Sequence, residues 1–133
     1  MYQQLESVIE KHYSTMSKKD ILECSQEFCN SFMIQTNSIL QTNLNRWDDN
    51  KVREYAIRVQ DYADINSAIL TLRTGTNDQK LITKGRIKAD ELFETIKKEF
   101  EPEFSSAGSA RQKQITDEIY LPHISFLWLF KRY

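Results

Sequence analysis

VREYAIRVQDYADINSAILTL, the run from Val52 to Leu72, decides the fold. Apolar side chains fall at Val52, Tyr55, Ala56, Val59, Tyr62, Ala63, Ile69 and Leu70, and Asn66 stands where the next is due. Spacings of three and four that recur every seven residues put these side chains on one stripe of an α-helix. Arg53, Glu54, Arg58, Gln60, Asp61 and Asp64 fall mainly off that stripe, and no proline or glycine interrupts it. At 3.6 residues per turn the run makes about six turns. A stripe of that length cannot stay in water, so other helices or a second copy of the chain must cover it.

Upstream, residues 2–13 carry a shorter pattern at Leu5, Val8, Ile9 and Tyr13. Ser17 followed by Asp20 then marks a helix start: the hydroxyl can accept an orphan backbone N–H, and the carboxylate suits the positive end of the helix. The spacing predicts a second helix from about Lys18 to Arg46. Its apolar face holds Ile21, Leu22, Phe28, Cys29, Phe32, Met33, Ile39 and Leu40. No charged residue lies between Glu27 and Arg46, and uncharged polar groups such as Gln35, Asn37 and Gln41 fill the other face. The plain reading is a half-buried helix. The functional one is a contact surface, because amides satisfy a partner's hydrogen bonds without the desolvation cost of charges. Asp48, Asp49 and Asn50 supply turn and N-cap chemistry for the organising helix. They do not make a calcium loop, which needs a glycine at its sixth position and a terminal glutamate.

Downstream, Gly75 suits the residue just past a helix C-terminus, and Thr76 with Gln79 resembles a capping box. A fourth helix is expected over about 78–101, with Leu81, Ile82, Gly85, Ala89, Leu92, Phe93, Ile96 and Phe100 on one face. Gly85 either permits close helix approach or splits the helix. Pro102 is expected to end it, since proline disfavours helical geometry in the residue before it. A last helical segment over about 110–133 should kink or restart at Pro122. From Ile124 to Phe130 only Ser125 is polar. A run apolar on all sides is read first as a core helix, next as a dimer or partner interface, and last as a membrane-surface anchor.

Length and composition agree with this. A chain of 133 residues fits a single domain with one core. Three glycines and two prolines are too few for a fold rich in strands and tight turns. The expected architecture is therefore all-α, an antiparallel helical bundle of about five helices with a kinked apolar C-terminal helix. Asn66, if buried, needs a polar partner, and Asn66 of a second chain would set the register of a homodimer. The alternative places it in water at the edge of the stripe. Cys24 and Cys29 point in different directions five residues apart on a helix and are expected as free thiols in a reducing compartment. The opening MYQQLESVIEK lacks a basic leader followed by an apolar run, and no stretch approaches the roughly 20 apolar residues of a membrane span. A cytoplasmic location is expected.

Catalytic signals are weak. His12 and His123 are the only histidines, and each reads more readily as structural. Zinc would want several His or Cys at short spacings, and a di-iron bundle wants Glu-x-x-His. Neither pattern occurs, nor does a nucleophile elbow or a phosphate-binding glycine loop. The HEPN ribonucleases are helical domains of about this size, with an arginine followed within a few residues by a catalytic histidine. Here Arg111 precedes His123 by twelve residues, so the resemblance is one of size and helix count and carries no residue over. No catalytic residue, metal or cofactor is expected.

The leading expectation is a non-enzymatic protein-binding module: a regulator, an inhibitor or an assembly subunit, with plentiful Ile, Lys, Asn, Gln and Glu and scarce Ala and Gly that suit an AT-rich phage or mobile-element genome. Its interface would draw on Gln35, Asn37, Gln41, Asn66, Phe126, Trp128 and Phe130. One alternative is a nucleic-acid-associated protein using Lys80, Lys84, Arg86 and Lys88, disfavoured by the net charge of −1 and by the lack of aromatics among the lysines. The other is a helical ribonuclease-like enzyme with an unrecognised site.

Overall fold

A computed structural model describes residues 2–133 and contains only helices and their connections among them. The helices are α1 (Tyr2–Tyr13), α2 (Lys18–Asn43), α3 (Asp49–Thr74), α4 (Gln79–Ser106), α5 (Ser109–Ile115) and α6 (Leu121–Arg132). A π-helical turn, Thr116–Tyr120, joins α5 to α6 without a break in helical geometry.

Local chemistry sets the ends. Ser17 and Asp48 cap α2 and α3 by accepting from the backbone N–H of Asp20 and Lys51. Gly75 closes α3 with φ at +76°, a left-handed geometry that glycine adopts without steric cost. The cap of α4 is Asp78, which accepts from Leu81 N–H, rather than Thr76.

α2, α3 and α4 form an antiparallel layer with α3 in the middle, packed about equally on both neighbours. The pairs Arg58–Glu99, Asp61–Lys88 and Asp64–Lys84 run in opposite order along α3 and α4. α6 lies on the inner face of this layer. Phe130 reaches Gly85 at one end of it and Tyr120 meets Phe93 at the other, so α6 runs antiparallel to α4. α1 covers α6 from the far side, with Tyr13 and Trp128 ring centres 5.1 Å apart. Buried apolar residues from every helix form one continuous cluster.

Two expectations change. The buried face of α3 is rotated from the stripe read in the sequence: Arg58, Asp61, Tyr62, Ile65, Ala68 and Ile69 are buried, while Ala56 and Leu70 are exposed. α3 has a neighbour on each side, and α4 offers Glu99 and Lys88 to the inward charges, so polarity alone did not mark the wet face. Pro102 does not end α4, which continues to Ser106. Proline removes one hydrogen bond, to the carbonyl of exposed Lys98, which water can satisfy. Phe100 and Phe104 pack on the core, and Gln112 donates to the Phe104 carbonyl, which holds the final turns. At Pro122 the C-terminal helix restarts as expected, with α6 beginning at Leu121 after a turn widened by one residue, in which Leu121 N–H donates to the carbonyl of Thr116. The ring of Pro122 would crowd the carbonyl of Glu118 in a regular helix, and the wider turn relieves that.

Gly85 serves close approach. A Cβ built there would stand 2.3 Å from Ala68 Cβ and 3.3 Å from the Phe130 ring. Gly85→Ala gains helix propensity yet overpacks the α3–α4–α6 junction, so a net loss of about 1–3 kcal/mol is expected in urea unfolding. Adding Ala68→Gly should recover part of that loss. A Gly85→Ala protein more stable than the wild type would contradict the close approach.

Candidate functional site

Beyond the start of α6 the inner face of the helical layer is left uncovered. A half-open cleft of about 580 Å³ lies there, walled by α2, α3, α4 and the π turn. Aromatic groups dominate it, notably Phe28, Phe32, Tyr55, Tyr62 and Phe100.

Its floor is a hydrogen-bonded chain. His123 Nδ1 lies 2.6 Å from the Ile119 carbonyl, which can only accept, so Nδ1 carries the proton. Nε2 then accepts from the Tyr62 hydroxyl at 2.7 Å. The Cys29 thiol donates to the Tyr62 backbone carbonyl at 3.1 Å. Phe32 stacks on the Tyr62 ring at 5.8 Å and packs on His123 at 4.6 Å. Burial pushes the His123 pKa down to about 4 and the Cys29 thiol up to about 12. Above pH 4 the imidazole is therefore neutral with both nitrogens engaged.

Arg58 forms one wall. Its guanidinium bonds Glu99 of α4 at 2.5 Å and Glu54 at 3.1 Å, and lies 4.5 Å from the centre of the Tyr55 ring. Burial works against its charge, and Glu99, with smaller help from Tyr55 and Glu54, more than offsets that, so its pKa is raised. At the mouth, Asp117 and Glu118 of the π turn are exposed and form no ion pair among the described residues. Glu99, Asp117 and Glu118 thus outnumber Arg58. The arrangement can hold an apolar or aromatic group inside and a cation at the rim.

The residues singled out in the sequence do not gather at one place. Gln35 lines the cleft. Asn37 and Gln41 are exposed and pair with each other at 3.5 Å. Asn66 is half-buried, and its amide oxygen is closed off from solvent with no partner among the described residues. Phe126, Trp128 and Phe130 are 1, 7 and 4 % exposed. The chain's own core takes them up, so they offer no surface to a partner or a membrane. On α4, Lys84 lies 3.7 Å from Asp64, and Lys88 lies 3.9 Å from Asp61 and 3.2 Å from Glu91. Lys80 shares their face at four-residue spacing, and Arg86 lies off it.

Sequence reasoning missed Arg58, Tyr62, Asp117 and Glu118 as a set. Signals existed in Arg58 and Asp61 beside the apolar stripe and in Pro122, which announces irregular backbone. Among the described residues no three His, Cys, Asp or Glu side chains gather as a metal site, and no helix is long and apolar enough to cross a membrane. No protein-family model, curated protein or solved structure matches this chain.

Two predictions follow from the buried polar groups. Tyr62→Phe keeps the ring but leaves His123 Nε2 buried without a donor, which should cost about 1–3 kcal/mol in urea unfolding. An unchanged midpoint would contradict the hydrogen bond. The second concerns pH. The folded protein holds His123 below its ordinary 6.5, so the unfolded chain takes the proton first. This contribution is full above about pH 6.5 and is lost as pH falls towards 4. Burial, only partly offset by Lys88, raises Asp61 from 3.8 to about 6, so its contribution grows as pH falls from 6 towards 4. The two oppose each other, and stability should change little between pH 6 and pH 4. Asp61→Asn should expose a steeper acid loss, measured by urea unfolding across that range. A flatter profile in the variant would contradict the opposition.

Proposed function

We propose that this chain is a non-enzymatic protein-binding module that acts as a regulator, an inhibitor or a subunit of a larger assembly. The observation that carries the reading is the cleft of about 580 Å³: aromatic walls, amide and carboxylate groups at its edge, and an imidazole already committed on both nitrogens. Binding needs only shape, apolar surface and a few placed polar groups, all of which are present. General acid–base work needs a group free to move a proton. His123 is 2 % exposed with its pKa lowered to about 4 by burial, and Glu99 is held by Arg58.

Exposed apolar side chains support the same reading. Val8, Phe28 and Ile39 are 51, 38 and 45 % exposed and border this side of the molecule. The basic face of α4 supports nucleic-acid binding less, because Lys84 and Lys88 spend part of their charge on α3 carboxylates.

The test is a complex of defined stoichiometry. Full-length protein immobilised in a native lysate should retain one partner in stoichiometric amount, and light scattering on the eluted material should give the mass of the two together. A chain that stays monomeric and retains no stoichiometric protein would overturn the proposal.

A further inference from the structure

A second hollow of about 270 Å³ lies between α1, α2 and the start of α6. It shares Phe28, Asp117 and Pro122 with the larger cleft, so the two meet edge to edge. Together they follow one flank of α2, whose lining residues Cys24, Phe28, Ser31, Gln35 and Ile39 recur every three or four positions. That spacing is a single helical stripe. From Cys24 to Ile39 it runs about 22 Å at 1.5 Å per residue. The facing wall is discontinuous: Val8 of α1, Asp117, Glu118 and Pro122 at the π turn, and Glu99 of α4. α2 packs on α3 along its other side, so this flank is left with an open groove beside it.

We infer that this groove receives an amphipathic helix of about fifteen residues from a partner protein, with basic side chains flanking its apolar stripe. The inference rests on the protein-binding reading and names its partner class. Length sets the occupant: a groove of about 22 Å matches about four helical turns laid against α2. Apolar chemistry sets its inner face, since Phe28 and Ile39 stand exposed along the floor and Val8 along the rim. Charge sets its flank. Among the described residues Arg58 is the one lysine or arginine lining the groove and is already bonded by Glu99 and Glu54, whereas Asp117 and Glu118 have no ion-pair partner there. Lysine or arginine on the incoming helix would supply it, and an acidic helix would be repelled.

The probe is a phage-displayed library of random helical peptides of about sixteen residues, selected on the full-length protein. Enriched sequences should place apolar residues at three- and four-residue spacing and carry net positive charge. Affinity of the enriched peptides should weaken as salt rises and fall about tenfold in a protein carrying Asp117→Lys and Glu118→Lys. Phe28→Asp should abolish binding, and helical circular dichroism checks that this exposed substitution leaves the fold intact. No enrichment, acidic winners, or affinity unchanged in both variants would overturn the inference. So would a wild-type dimer that Phe28→Asp converts to monomer, because the occupant would then be a second copy. If the lysate yields a stoichiometric partner that Phe28→Asp still retains, the groove assignment falls and the protein-binding reading stands.

Discussion

A helix apolar on every side must be surrounded on every side, and α6 is such a helix. Pro122 to Phe126 and Trp128 to Phe130 are all buried. Removing that much apolar surface from water is the largest favourable term available to a chain of this size. The other elements can be understood by where they stand around it. The layer of α2, α3 and α4 supplies one side and α1 the other. Gly85 and Ala68 are small where α3, α4 and the Phe130 ring converge, which lets the layer close on the rod.

The same helix creates the site by where it stops being regular. Pro122 forces a wide turn, and the wide turn places Asp117 and Glu118 at the edge of the uncovered layer. His123, the next residue, turns inward and binds Tyr62 on α3 and the carbonyl of Ile119 in the π turn. One neutral imidazole thus fastens the irregular turn to the middle helix of the layer. Satisfied on both nitrogens, it rigidifies the floor of the cleft without leaving a buried polar atom to be hydrated. The site is therefore a product of the core, with its aromatic lining continuous with the interior.

Much of the architecture was legible in residue spacing. Period and caps located α1 to α4 closely, because Ser17, Asp48 and Gly75 carry their chemistry within one turn of the helix end. The apolar run after Pro122 read first as core, and it is core. What spacing could not supply was rotation about the helix axis where charges face inward. Arg58 and Asp61 look like solvent residues until Glu99 and Lys88, far away in sequence, are seen opposite them. Pro102 misled for a related reason: whether a helix survives a proline depends on the tertiary contacts of Phe100 and Phe104. The cleft was the least legible feature. It is assembled from α2, α3, α4 and the π turn, and no local pattern records that a later helix stops short of covering them. The amide-rich face of α2 divides in space, with Gln35 in the cleft and Asn37 and Gln41 paired outside it.

The proposed binding role draws on what the fold leaves over: His123 and Arg58 are engaged within the structure, while apolar and acidic groups remain at the surface beside α2. All of this depends on α6 being the innermost rod. Native-state amide hydrogen exchange tests that most directly. The amides of Leu127 to Phe130 should exchange only through global unfolding, at the same free energy as those of Ile65 to Ile69 in α3. Exchange of α6 through a local opening, with α2, α3 and α4 still protected, would contradict it.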